Sequence, residues 1–320
     1  MKLSRKSVCI LVASGAFLVV LAAAIRCVGR SKEAPVPQDR GAGLVRVVAT
    51  GRDNRQRPNL RPLDTASSPV NTICGLDGET AGRFPVRIRA LRSIARCRNL
   101  PPEDVSVLLG YVASTNDVMS ADRVAALKND VLNLLRNQDT APAQLPRLLI
   151  DMLENGEYDA TMTDYCIQHL GSMWSAFRSE GMSECVRAVL ADAASCKEFP
   201  YSGTALYALA DDIEAPDEAR ERLRRLTVSL ACDPAANPLA RISAIQLSAQ
   251  RRFLEVMPTV RRLLAEPHPD MLLAMVSVGA IGCLGRQSDI HLLEDVRDRC
   301  GERIRPAVDA ALSKLSRSSK

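Results

Sequence analysis

The sequence predicts an all-α chain, an α-solenoid of about six antiparallel helix hairpins preceded by a single N-terminal transmembrane helix. Three observations carry this expectation. Aromatics are only 3% of the 320 residues, so the core must be built from Leu, Ala, Val, Ile and Met, a set that favours helices over sheets. From Phe84 onward, apolar residues recur at helical spacing in segments broken by Pro, Gly, Asn or Asp. Those segments pair into units starting near residues 85, 120, 160, 202, 238, 270 and 303, which are 32 to 42 residues apart. A lone hairpin cannot bury its apolar face, so such a period marks hairpins that stabilise one another by stacking.

The first element is apolar. Lys2, Arg5 and Lys6 precede Val8 to Ile25, eighteen residues without a charge. As a helix this stretch rises about 27 Å, close to the ~30 Å hydrocarbon core of a bilayer. Residues 1–30 are therefore expected to form a membrane anchor through residues 8–25. Ala22-Ala23-Ala24 offers a small-residue cleavage site, so a signal peptide that releases a secreted or periplasmic body is the alternative. Arg26, Arg30 and Lys32 nearly balance the leading cations, and charge orients the segment only weakly. The expected orientation places the repeat domain outside the cytoplasm.

Residues 31–83 read as a flexible spacer. They hold Pro35, Pro37, Pro58, Pro62 and Pro69 and an arginine series at Arg40, Arg46, Arg52, Arg55, Arg57 and Arg61, with few periodic apolar positions. Residues 44–48 are a candidate short strand. The arginines suit either a solvated tether or contact with anionic lipid or cell-wall polymer.

Residues 84–320 form the expected repeat domain. Its helices are predicted over 86–95, from Pro102, and over 120–137, 142–154, 158–177, 183–197, 202–214, 217–232, 238–252, 254–266, 270–285, 289–300 and 303–316, the last of them unpaired. Pro102 followed by Glu103 and Asp104 is a helix-opening pattern, with proline and acids in the first turn.

Within this stretch Ala280-Ile281-Gly282-Cys283-Leu284-Gly285, followed by Ile290-His291-Leu292-Leu293, resembles the short bacterial HEAT-like repeat of the armadillo type. Ile304 to Leu315 resembles the same first helix again. Ala240-Arg241-Ile242-Ser243-Ala244-Ile245 with Val256 to Leu264 is a third copy. The resemblance is good from about Asn237 to Leu315 and rests on period alone from Pro85 to Asp233. It implies the helical-repeat fold and adds little about activity. It also implies that Arg123, Arg241 and Arg305, on first helices, bond between hairpins, and that second helices line a concave face.

Composition narrows the function classes. The 42 basic against 37 acidic residues give a net charge of +5, a mild excess that argues against a nucleic-acid partner. None of the ten cysteines forms a Cys-x-x-Cys pair, so zinc-ribbon and thioredoxin-like readings lack their spacing. His291 with Asp295 and Asp298 is better read as a solvated helix face than as a metal site. Cys166 and His169 sit three residues apart beside Asp164, but no oxyanion-hole signature accompanies them. Asp211, Asp212 and Glu214 read as helix-end and loop acids. No phosphate loop or dinucleotide fingerprint is present. The chain is therefore expected not to be an enzyme and to need no cofactor or metal.

One pattern points to a partner. Several second helices carry Arg just before an apolar run: Arg147, Arg187, Arg225 and Arg262, spaced 40, 38 and 37 residues apart, with Arg224 and Arg261 adjoining. Stacked hairpins would align these into an arginine ladder for an acidic partner. The plainer alternative is that they pair with neighbouring acids such as Glu221, Asp192 and Glu266. The expected function is a membrane-tethered scaffold or adaptor for a protein partner. The alternatives are a module for an anionic polymer (cell-wall polymer or nucleic acid) and, less favoured, a lyase-like enzyme-associated protein.

Overall fold

The computed structural model describes residues 68–317, leaving aside 180, 267–269 and 300. The anchor over 1–30, the spacer as far as 67, the strand at 44–48, and Cys9, Cys27, His268 and Cys300 lie outside the described residues. Within them the chain is all-helical, with no strand. No described helix is long and apolar enough to cross a membrane.

Fifteen α-helices follow in order among the described residues. They are α1 (Pro69–Cys74), α2 (Phe84–Ile94), α3 (Pro102–Ala113), α4 (Ala121–Arg136) and α5 (Gln144–Asn155). Next come α6 (Ala160–Gly171), α7 (Trp174–Ser179), α8 (Ser183–Ser195), α9 (Tyr201–Ala210) and α10 (Asp217–Cys232). The last are α11 (Pro238–Arg251), α12 (Met257–Ala265), α13 (Met271–Leu284), α14 (Ile290–Arg299) and α15 (Arg305–Arg317). Side-chain caps start several of them. Asp159 accepts from Met162 N, Asn237 from Leu239 N, and Asp270 from both Leu272 N and Leu273 N.

These helices pack in two rows. Each of α2, α4, α6, α9, α11, α13 and α15 lies on the next in that order, and α1, α3, α5, α8, α10, α12 and α14 form the other row. Between rows, the closest pairs are α1–α2, α3–α4, α5–α6, α8–α9, α10–α11, α12–α13 and α14–α15. This corrects two expectations. Each second helix packs mainly on the first helix of the following unit, and the helix at 303 is not unpaired, since α15 lies against both α13 and α14. Local periodicity is the same for either pairing, so only the tertiary packing decides.

Two further differences have clear causes. The packed body begins inside the range read as spacer, because α1 buries Val70 and Ile73 in the common core. The helix expected over 158–177 breaks at Ser172, whose hydroxyl donates to His169 O at 2.7 Å. Trp174 then starts α7 and fixes it by donating from Nε1 to Ala208 O at 2.9 Å.

The core is mostly aliphatic, with Leu127, Leu132, Leu135, Leu149, Ile150 and Ile167 among its fully buried members and Phe177 buried with them. Neighbouring connections are also bonded through their backbones. Asp139 N donates to Arg98 O, and Asn237 N to Lys197 O, each at 2.8 Å. Repeated helix pairs of this kind fit an α-solenoid in its general form.

Candidate functional site

The six arginines expected to form a ladder divide into three groups. Arg147 stays on its own helix, pairing with Asp151 at 2.7 Å and Glu154 at 3.7 Å. Arg187, Arg224 and Arg261 reach forward instead, each to an acid in the turn between the next two helices. Arg187 bonds Asp212 at 2.9 Å through both Nε and Nη2. Arg224 pairs with Glu255. Arg261 forms a two-pronged pair with Asp289, at 2.7 and 3.1 Å. That pair holds the Asp289 carboxyl below the usual carboxylate range and raises the guanidinium further. Arg225 and Arg262 are exposed, and neither makes an ion pair among the described residues.

The true period is therefore Arg187, Arg224, Arg261, which recurs every 37 residues. These are clasps between units rather than free cations. Of the acids expected to neutralise the ladder, Glu221 does pair with Arg224, at 3.4 Å. Asp192 pairs with Arg222 instead, and Glu266 offers its backbone oxygen to Arg299.

The most developed clasp lies around Asp212, a residue the sequence reading set aside as a loop acid. Its side chain is 1% exposed and receives both Arg187 and Arg178, the latter at 3.4 Å. Two more arginines reach backbone oxygens beside it, Arg220 at Ile213 at 3.4 Å and Arg251 at Ala210, the last residue of α9. Arg187 also lies 5.9 Å over the ring of Trp174, the chain's single tryptophan. Beside this clasp, between α8 and α10, is a cleft of about 410 Å³. Ala191, Leu209, Ala215, Pro216, Ala219 and Leu223 supply its apolar lining, and Arg187, Arg220, Arg222 and Arg251 its cations. Ile213 stands beside it, 76% exposed. A smaller cleft of about 290 Å³ on the other side of α10 is lined by Arg224, Arg225, Val228 and Glu255.

The first-helix cations behave differently from expectation. Arg241 is buried, but its Nε has no partner among the described residues. Arg123 lies 6.0 Å over the Phe84 ring of the preceding first helix, and Arg305 is exposed. Among first-helix cations, the bonding between units falls instead to two buried ones near the start of the body. Arg87 joins Ile73 O, Ala81 O and Asp117. Lys128 donates to Val112 O at 3.0 Å and to Ser114 O, neutralising the carbonyl end of α3. Burial lowers the pKa of its ammonium. Nothing in the local pattern marked Lys128, which occupies an ordinary helical position.

The candidate thiol pair does not form. Burial pushes the Cys166 thiol up to about 12, which disfavours a thiolate. His169 turns its Nε2 to Asn129 Oδ1 at 3.0 Å, and its Nδ1 is buried without a partner. An oxygen acceptor there requires a proton on Nε2. Among the described residues no group of His, Cys, Asp and Glu is arranged to hold a metal ion. His291 is exposed and pairs with Glu294, not Asp295.

His169 sets an acid limit on stability. Burial, with repulsion from Arg136, lowers its pKa to about 4 from the ordinary 6.5. The unfolded chain thus takes up the proton first as pH falls. Its contribution to stability is complete above pH 6.5 and drops by about 3 kcal/mol on acidification to pH 4. Urea unfolding midpoints taken across that range should fall more steeply in the native chain than in His169→Gln. Parallel slopes would show that His169 does not titrate as described.

No family model matches this chain, and no curated protein matches it either.

Proposed function

We propose that this protein is a HEAT-like interaction scaffold, tethered to a membrane by residues 8–25, that presents its second-helix row to a protein partner. The observation that carries the reading is the patchwork on α8, α10 and α12. Most of the arginines there are clasped by acids, while Arg225 and Arg262 stay exposed next to apolar side chains. A polymer of repeating anions would be met best by a continuous cationic track. Alternating signs with apolar gaps suit a protein surface, where paired charges set register and apolar area supplies affinity. Exposed Ile213 and Leu254, in the turns that precede α10 and α12, add to that apolar area. The eighteen uncharged residues of the N-terminal segment support the tether, with the body on the extracytoplasmic side. This reading assigns no catalytic role and no cofactor.

Capture from native membranes tests it. Full-length protein crosslinked in place should retain a specific partner, and Arg225→Glu with Arg262→Glu should reduce its recovery at least tenfold while leaving the helical content unchanged. Recovery that is indifferent to both charge reversals would rule out the second-helix surface. Release of the native chain by alkaline carbonate would rule out the tether.

A further inference from the structure

We infer that the cleft between α8 and α10 receives an acidic protein segment, with one aliphatic side chain seated on its apolar floor and flanking carboxylates held by Arg187, Arg220 and Arg222. The inference rests on the scaffold reading and narrows it to one cleft and one partner chemistry. Three features of the cleft lead to it.

The first is size and lining. About 410 Å³ exceeds what one side chain fills, and Leu209, Ala215, Ala219 and Leu223 give the mixed lining an apolar part. That part is served by an aliphatic group, which gains roughly 1.5–3 kcal/mol on leaving water. Ile213 sits at the edge with most of its surface still in water, so an apolar visitor would also cover it.

The second is charge. Three acids line the cleft against four arginines; Glu184 and Glu218 are exposed, and the buried one, Asp212, already carries two guanidinium groups, Arg178 and Arg187. An arriving cation would find that acid neutralised and would face Arg187 and Arg251. The other arginines are held only loosely. Arg220 reaches Asp217 at 3.4 Å and Arg222 reaches Asp192 at 3.8 Å, and those acids are 99% and 81% exposed. The remaining prong of Arg187 is on Glu184, which is 80% exposed. Solvated pairs of this kind contribute under about 1 kcal/mol, so a carboxylate from a partner can take the place of each at little cost. A fork-shaped donor then gains a bidentate acceptor in a less solvated setting.

The third is preorganisation. The loop over 211–216 is held by Arg178 and Arg187 on the buried Asp212 carboxylate, so the edge of the cleft does not have to be ordered on binding.

The molecule supplies its own reporter. Because Arg187 lies over Trp174, exchanging its Glu184 prong for a partner's carboxylate changes the surroundings of the only indole. The full-length chain is titrated with the peptide acetyl-Glu-Asp-Leu-Glu-Glu-amide, following Trp174 emission and, with a labelled peptide, anisotropy. Saturable binding with a change in Trp174 emission is expected. Exchanging the peptide's Leu for Ser, or introducing Arg220→Glu with Arg222→Glu, should each weaken binding at least tenfold. Both arginines are exposed, so the fold is retained, which circular dichroism checks. Equal affinity for the Ser peptide would overturn the aliphatic anchor, and unchanged binding to the charge-reversed protein would overturn the site. Equal binding of a Lys-Lys-Leu-Lys-Lys peptide would overturn the acidic specificity. The scaffold reading is judged separately, by partner capture and its dependence on Arg225 and Arg262, so either can fail while the other stands.

Discussion

Replacing Arg87 by methionine should cost about 3–5 kcal/mol, the range for removing one member of a buried ion pair. Arg87 is 1% exposed, and its guanidinium joins three separate stretches of chain. Nε donates to Ile73 O at 2.7 Å, at the end of α1. Nη1 donates to Ala81 O at 2.9 Å in the turn that follows, and meets both oxygens of Asp117 at 2.9 and 3.0 Å. The Tyr111 ring lies 5.1 Å away, and its hydroxyl donates to the same carboxylate. Methionine fills much of the volume but donates nothing. Two backbone oxygens and a carboxylate would then stay buried without their cation. The loss should appear as a lower urea midpoint, and α1 should become protease-sensitive before the rest of the body. A second variant separates charge from packing. Arg87→Met with Asp117→Leu removes both partners, leaves no orphaned carboxylate, and should recover part of the loss. A single-variant loss below about 1 kcal/mol would show that the buried pair does not hold α1.

Arg87 also shows where the sequence stops being informative. Helices α10 and α11 were legible almost to the residue, because each opens on Pro or acids and then runs at steady helical spacing. Pro69 to Cys74 is too short to show a period, and its place in the core depends on bonds from Arg87 fourteen or fewer residues away. The arginine period was legible, but not its register. Arg224 with Arg225, and Arg261 with Arg262, are adjacent pairs, and one residue along a helix turns a side chain by about 100°. The position before each apolar run points to Arg225 and Arg262, whereas the residues that reach the next unit are Arg187, Arg224 and Arg261. The acids they reach sit in turns of differing length, so no fixed offset announces them. Asp212 was visible as a loop acid; its burial was not, because it follows from two arginines on other elements.

The row of first helices predicts opposite outcomes for one chemical change at two glycines. An added Cβ at Gly203 would lie 2.6 Å from Ser243 Cβ and 3.3 Å from Ala240 Cα, on the next helix of the row. Gly171 meets Ala208 in the same way, with the added atom 2.9 Å from its Cα. At these points α6, α9 and α11 come close enough that backbone and Cβ of the neighbour occupy the space, and a rotamer change cannot clear it. Gly203→Val should therefore force α9 and α11 apart and cost about 3 kcal/mol or more, at the upper end of core overpacking. Gly203→Ala should cost less, since better helix propensity returns about 1 kcal/mol. At Gly279, inside α13, the added atom meets nothing within 4 Å. Gly279→Ala should raise stability by about 0.5–1 kcal/mol by restricting the unfolded chain. Because stability in a stack depends on interfaces between neighbours, the Gly203→Val defect should also loosen the helices on either side of it. Hydrogen exchange would then show faster amides in α9 and α11 while α14 and α15 keep their protection. Uniform loss across the whole body would instead mean that the described residues unfold as a single cooperative unit.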